Sequence, residues 1–376
     1  MTKMDTPVCA TQRNEGVVEK LHEPLLWLIP MLLCGIGIVM IASSSSGAAI
    51  DVYGSPYALG AKQFVWLLIA LGAMVCGYAI PVEFWHRTSG FLWVLALVLA
   101  FLTLFTPLGA TAGGARRWLR LGPLPIQTSE LLAFTLVIHV AKKITGEEQE
   151  EKKAFQRCMG VVFLTLPLVL LQPDMGGTLL LLALAMGLFV EAWGWFYPLC
   201  TGALSLLAVV PLILFKGYRM RRILALIDPW SDPLNTGFQV IQGLIAFANG
   251  NVWGLGVGHG LQKLQYLPAA HTDFIFAAIG EELGLLGTLF VLFLFFLWIW
   301  RAWSVYILLP WGFERSLLWG MVLSIVLPLL INVGGVTKVI PLTGIPLPFV
   351  SYGGSALVMA WMRTGIILRL ARESRS

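Results

Sequence analysis

The amino-acid sequence predicts an all-α polytopic membrane protein: about ten transmembrane helices, both termini cytoplasmic, and a large structured outer loop between helices 7 and 8. Three observations carry this expectation. Of 376 residues, 58% are hydrophobic and only 12% charged, and the mean hydropathy is +0.82; a soluble domain carries about 25% charged residues. The apolar residues come in continuous runs of bilayer-spanning length. No strand-like alternation breaks those runs, which favours helices, whose backbone groups bond within the segment.

Taken in order, residues 1–23 are polar and mixed in charge, and they lack a signal-peptide cleavage pattern. They read as a cytoplasmic tail, and the first apolar span is expected to be retained. Residues 24–371 read as a single transmembrane domain and 372–376 as a cytoplasmic C-terminal tail. Candidate spans lie at 24–43, 60–80, 89–107, 128–143, 158–172, 175–192, 196–215, 273–300, 316–336 and 350–370, the fourth and fifth being short. No internal repeat is evident, which weakens a transporter built on inverted repeats. The cysteines Cys9, Cys34, Cys76, Cys158 and Cys200 are scattered without metal-ligand spacing and read as small apolar packing residues.

Lysine and arginine set the orientation. With the N-terminus inside, the inner segments hold 15 of them and the outer segments 10. Eight of the outer ones fall in Pro107–Gln127 and Lys216–Thr272. The second segment is a long loop (about 216–272), exempt from the rule, and "GFQVIQGLIAFANG" within it reads as a half-buried helix ending at Asn249–Gly250. Its glycines Gly254, Gly256, Gly258 and Gly260 lack the strand and helix of a nucleotide fingerprint and suit either close backbone packing or a lipid-facing turn. The first segment is short yet carries Arg116, Arg117 and Arg120. Either a headgroup-contacting face or an anion site for a phosphate-bearing ligand fits that pattern. The run "KKITGEEQEEKK" (Lys142–Lys153) reads as a solvated inner linker.

Ionisable groups in or near spans are the functional candidates: Glu130, Asp174, Glu191, Asp273, Glu281, Glu282, Lys338 and Arg363. Asp273 stands at the outer mouth of the eighth span after His271 and Thr272. It is either a helix cap, worth ~0.5–2 kcal/mol, or a catalytic carboxylate, with Thr272 able to cap alone. "QPDMGG" (Gln172–Gly177) reads as a tight outer turn in which Asp174 caps the sixth span. "GGARRWLRLGPLPIQTSE" (Gly113–Glu130) reads as an interfacial element, since Trp118 suits the headgroup level. "PLTGIPLPFVSYGGS" (Pro341–Ser355) has three prolines that forbid regular helix and reads as an outer or re-entrant loop lining a cavity, with Gly353–Gly354 offering amides to an anion.

Four of these segments, in order, resemble motifs of the SEDS family (shape, elongation, division and sporulation), the peptidoglycan glycosyltransferases typified by FtsW and RodA: "GARRW" (Gly114–Trp118), "QPDMGGTL" (Gln172–Leu179), "GLQKLQYLPAAHTDFIFAAIGEELG" (Gly260–Gly284) and "PLPFVSYGGS" (Pro346–Ser355). The resemblance implies an enzyme that polymerises lipid II into glycan strands outside the cytoplasmic (inner) membrane of a bacterium. It implies that Asp273 is the catalytic base of an inverting displacement and that Arg116 and Arg117 bind the substrate pyrophosphate. Glu130, His271, Thr272, Glu282, Lys338, Ser351, Tyr352, Gly353, Gly354 and Ser355 support the motifs or the cavity. A divalent cation (Mg or Mn) is an open expectation, and no organic cofactor is expected. A class B penicillin-binding transpeptidase and other divisome membrane proteins are the implied partners; nucleic acid is not. "PWSDPLNTGFQVIQGLIAFANG" (Pro229–Gly250) favours the FtsW-like, division-site branch over a RodA-like elongation polymerase, and a lipid II flippase is the competing class. The chain departs from the family pattern at Thr128, where proline is usual, at Ala133, where lysine is common, and at Ala269, where glutamate is frequent, so no role for those residues carries over.

Overall fold

This computed structural model describes residues 22–112, 115–121, 124–146, 150–204, 224–235, 237–262, 267 and 270–374. The helices are α1 (His22–Ser44), α2 (Ser46–Tyr53), α3 (Ala58–Ala79), α4 (Val82–Phe105), α5 (Thr128–Ile144), α6 (Glu151–Leu171), α7 (Met175–Trp193), α8 (Phe238–Gly250), α9 (Ile275–Tyr306), α10 (Phe313–Val336) and α11 (Gly354–Glu373). Among the described residues, eight helices are long and apolar enough to cross a membrane: α1, α3, α4, α6, α7, α9, α10 and α11. The protein is a multi-pass, predominantly helical membrane protein. The expected seventh span is helical at 196–204 and then leaves the described residues, as do residues 1–21 of the N-terminal tail, Lys216, Arg219, Arg221, Arg222, Lys263 and Ala269.

The fourth expected span is α5. Its 17 residues reach about 26 Å at 1.5 Å per residue. It packs against α4, α6, α7, α10 and α11, and Leu132, Leu136, Val137, Ile138 and Val140 are wholly enclosed. It is the central post of the bundle. Several helices overrun their expected limits: α4 begins at Val82, α6 at Glu151, and α11 continues to Glu373. Hydropathy marks where hydrocarbon begins, whereas a helix continues into water for as long as its i to i−4 bonds persist.

The most extensive helix pair is α3 against α11. Small residues permit the approach: a Cβ on Gly77 would lie 2.5 Å from the Met362 carbonyl oxygen, and one on Gly365 would strike the Met74 backbone. The α11 span is also the most enclosed, with 78% of its apolar window buried. Within that enclosure Arg363 sits in mid-helix, 3% exposed.

Two departures from regular helix shape the outer end. Gly109–Gln127 forms a three-stranded antiparallel sheet, β1 (Gly109–Ala112), β2 (Ala115–Leu121) and β3 (Leu124–Gln127), in the order β1-β2-β3. The segment expected to be interfacial therefore takes strand form. The register pairs Ala110 with Trp118 but Thr111 with Arg116, leaving a bulge at Arg117. The second departure lies within α9, where Gly284 takes φ 68° and breaks the helix. The amides of Leu285 and Leu286, freed by the break, donate to the carbonyls of Asn251 (2.9 Å) and Val252 (3.3 Å). The carbonyls of Glu281 and Glu282 accept from Leu255 (3.0 Å) and Gly256 (2.9 Å). Broken helix and glycine loop thus complete each other's backbone bonds, as irregular chain at membrane depth requires.

Replacing Gly365 by leucine forces α3 from α11. We expect a loss of ~3 kcal/mol or more, read as a lower thermal midpoint in detergent. Gly72→Ala on α3, which meets no neighbouring atom, serves as the control and leaves the midpoint unchanged or slightly raised.

Candidate active site

The loop between α10 and α11 runs over residues 337–353 without helix. Its prolines remove donors and bar helical turns, so side chains must hold it. Gln63 of α3, 2% exposed, does so from below: its Nε2 donates to the Ser351 carbonyl (3.1 Å) and its Oε1 accepts from the Gly353 amide (3.4 Å). That amide is therefore engaged by protein and is not an open anion cradle. Ser355 closes the far end, donating to the Pro125 carbonyl (2.9 Å) and accepting from the Gln127 amide (3.2 Å), which ties α11 to β3.

The loop in turn grips the turn that precedes α9. Three consecutive carbonyls are held: His271 by the Tyr352 amide (2.9 Å), Thr272 by the Ser351 hydroxyl (2.7 Å) and Asp273 by Asn332 Nδ2 (2.9 Å). The Ser351 oxygen also accepts from the Leu347 amide (2.8 Å), and Asn332 Nδ2 spends its second hydrogen on the Ile345 carbonyl (2.8 Å). Every clamp acts on main chain. The N-cap position of α9 falls on Phe274, one residue beyond Asp273, and the Phe274 side chain makes no cap bond. Asp273 is half-buried, and a Cβ on Gly344 (φ 78°) would lie 3.4 Å from its Oδ2. Glycine there lets the loop backbone pass the carboxylate closely.

On the other side of Gly344 lies the Gln172–Gly177 turn. A Cβ on Gly176 would sit 2.8 Å from the Thr343 carbonyl oxygen. Asp174 caps α7, accepting from the Gly177 amide at 2.9 Å as its position in the turn predicts. It is 3% exposed and pairs with Arg117 Nη1 at 3.2 Å. The two arginines of the bulged strand diverge. Arg116 turns to the Thr106 and Gly109 carbonyls at the end of α4, while Arg117 stays partly exposed beside Asp174 with its Nε unpaired.

Glu281 and Glu282, both 2% exposed, hold the glycine loop. Glu281 accepts from Asn249 Nδ2 (3.2 Å) and the Gln262 amide (3.2 Å); Glu282 accepts from the Gly258 amide (3.0 Å) and Ser43 Oγ (2.6 Å). Their role in this arrangement is architectural, with carboxylates satisfying amides that no helix or sheet serves. Lys338 reaches the Ile227 carbonyl at 3.4 Å, across the outer surface. Glu130 and Arg363 form an ion pair at 3.0 Å beneath the loop.

His271 packs edge-on to Tyr352, with ring centroids 5.7 Å apart. Burial holds its pKa below the ordinary 6.5 and pushes the Tyr352 phenol above its own. Among the described residues, no three of His, Cys, Asp and Glu gather closely enough to hold a metal ion. Gln63, Asn332 and Ser43 escaped the sequence reading, although an uncharged amide inside an apolar run is itself a signal for a buried hydrogen-bonding task.

Asn332→Leu keeps the shape but strips donors from two carbonyls. We expect destabilisation of ~1–3 kcal/mol per orphaned group, seen as a fall in thermal midpoint. The pH dependence of stability follows from His271. Its folded pKa lies below its unfolded value, so its contribution is complete above pH 6.5 and is lost as pH falls through that value towards the depressed one. Between about pH 7 and pH 5 the midpoint of His271→Gln should fall less than the parent's; parallel declines would refute this.

Comparison with known proteins agrees with this architecture. The family model described as cell cycle protein (FtsW, RodA, SpoVE) matches residues 23–376. The probable peptidoglycan glycosyltransferase FtsW of Halorhodospira halophila is 36% identical over 94% of this chain and 91% of its own length. Stage V sporulation protein E of Bacillus subtilis is 34% identical over 93% and 97%. A solved peptidoglycan synthase complex, described as coordinating polymerization and crosslinking, contains a chain that is 28% identical, with a TM-score of 0.77 over 93% of this chain and 97% of that one. The rod shape determining protein RodA of Thermus thermophilus, 24% identical, shares the fold at a TM-score of 0.70 over 93% and 97%. The helical bundle, the motif order and a match running through nearly the whole chain lead to one conclusion: this protein belongs to the FtsW/RodA/SpoVE family.

Proposed function

We propose that this protein is a peptidoglycan glycosyltransferase that polymerises lipid II into glycan strands at the outer face of the bacterial inner membrane, with Asp273 as general base. The relatives named as peptidoglycan glycosyltransferases support the enzyme class. The observation that carries the site reading is the grip on three successive carbonyls of His271–Asp273. Fixing the turn by its main chain leaves the carboxylate's position set before substrate arrives, and pre-set geometry is where much of catalysis resides.

The chemistry is an inverting displacement. A β-1,4 bond made from an α-linked donor needs one in-line attack by the acceptor 4-hydroxyl. That hydroxyl is a weak nucleophile until a base removes its proton, which Asp273 takes. The leaving group is a lipid pyrophosphate, and it asks for counter-charge rather than a general acid. Arg117 is the better placed of the two expected arginines, because Arg116 is spent on the Thr106 and Gly109 carbonyls. A single bond to Asp174 leaves donors of the Arg117 fork for phosphate oxygens. No step is assigned to a divalent cation. The FtsW names among the relatives favour a role at the division site alongside a class B penicillin-binding transpeptidase and other divisome proteins. The synthase complex among the structural neighbours favours the transpeptidase partner.

The test is polymerisation of fluorescent lipid II by the purified protein with its transpeptidase partner. Asp273→Asn should lower the rate by about 10²-fold or more with the thermal midpoint retained. Equal polymer from Asp273→Asn would remove the base assignment. An active parent that carries lipid II across vesicles without making polymer would replace the polymerase reading with a flippase.

A further inference from the structure

One buried charged pair takes no part in that scheme. Arg363 Nη2 donates to Glu130 Oε2 at 3.0 Å, with side-chain exposures of 4% and 13%. Glu130 stands in the first turn of α5 and Arg363 in the middle of α11. The Nε of Arg363 is buried without a partner. Both residues line a cavity of about 20 Å³ whose remaining wall includes Ile345–Phe349 and Ser351. This is the segment whose Ser351 hydroxyl holds the Thr272 carbonyl and the Leu347 amide. The ion pair therefore lies one layer below the clamps on the His271–Asp273 turn.

A carboxylate so enclosed needs a cation close by, since unpaired buried charge is strongly destabilising. The local place for one is residue 133, three positions along α5 on the same helix face. Ala133, 1% exposed, fills that position and brings no charge. The cation instead crosses from α11. We propose that Arg363 is a positioning residue: as counter-charge to Glu130 it sets the floor under the Ile345–Ser351 segment, a role that a lysine on α5 at position 133 can take over. Three features support the relocation. Ala133 has the right helical phase, Arg363 is the cation that Glu130 meets, and the cavity beside them joins the pair to the loop.

The experiment moves the charge onto α5. Full-length Arg363→Met, Arg363→Met with Ala133→Lys, and the charge-free Glu130→Gln with Arg363→Met are each measured with the transpeptidase partner for thermal midpoint, kcat and KM on lipid II. Arg363→Met should lower the midpoint and cut kcat about tenfold or more, with KM within about twofold of the parent. Adding Ala133→Lys should restore the midpoint and return kcat to within about threefold. The charge-free variant should fold yet keep the low kcat. A relocated variant that folds but stays as slow as Arg363→Met overturns the proposal. So does a relocated variant that regains no stability, or a charge-free variant as fast as the parent. The rate arm rests on the polymerase function proposed above, but the midpoint arm does not. If the parent makes no polymer, that function fails, while recovery of the midpoint by Ala133→Lys still decides whether position 133 can carry the charge.

Discussion

Away from water, no backbone amide or carbonyl can be left unpaired, and the outer half of this molecule is arranged around that requirement. Helices meet it by themselves. The segments that leave helical form, residues 251–262, the break at Gly284 and the loop 337–353, meet it only through one another and through buried polar side chains. Gln63, Asn332, Ser351, Ser355, Glu281 and Glu282 are the agents, drawn from α3, α9, α10, α11 and the loop itself. Each bonds to main chain outside its own helix or strand. A group of apolar helices thus supports a polar mouth built largely of non-helical chain.

The same bonds connect fold to chemistry. The break in α9 lets the glycine loop dock against Glu281 and Glu282. That docking anchors the first turns of α9, whose N-terminal approach carries His271, Thr272 and Asp273. The 337–353 loop meets this approach from one side and the Gln172–Gly177 turn from the other. The bulge at Arg117 separates two adjacent arginines, one closing the end of α4 and one facing Asp174. The 337–353 loop thus lies against both the Asp273 carboxylate, at Gly344, and the Gln172–Gly177 turn, at Thr343.

The spans were legible because continuous apolar runs carry their own signal; their ends were less so, because α6 and α11 continue through charged residues that hydropathy counts as solvent. The Asp174 cap and the helix ending at Gly250 could be read directly, since Asp at a helix start and Asn-Gly at a helix end have local causes. The sheet was not legible: two of its strands have four residues, too short for alternation to register. The divergence of Arg116 from Arg117 depends on strand register, which one strand cannot reveal. The pairing of Arg363 with Glu130 was not legible, because the two residues are remote in sequence. Asp273 stands out by its place at a span mouth, whereas the tasks of Gln63 and Asn332 depend on loop carbonyls remote in sequence.

The grip on His271, Thr272 and Asp273 has a consequence for how this region varies. All three contacts are to carbonyl oxygens, which every amino acid possesses. These three grips therefore hold whichever residues stand in the turn. On the proposal that Asp273 is the base, residue identity there answers to chemistry, while the side chains that grip the turn stand elsewhere, at positions 332 and 351. Drift at the turn should alter what the enzyme does, and drift at the distant positions should alter whether the turn exists at all. Heredity of function and heredity of form are, at this one corner, carried by different residues.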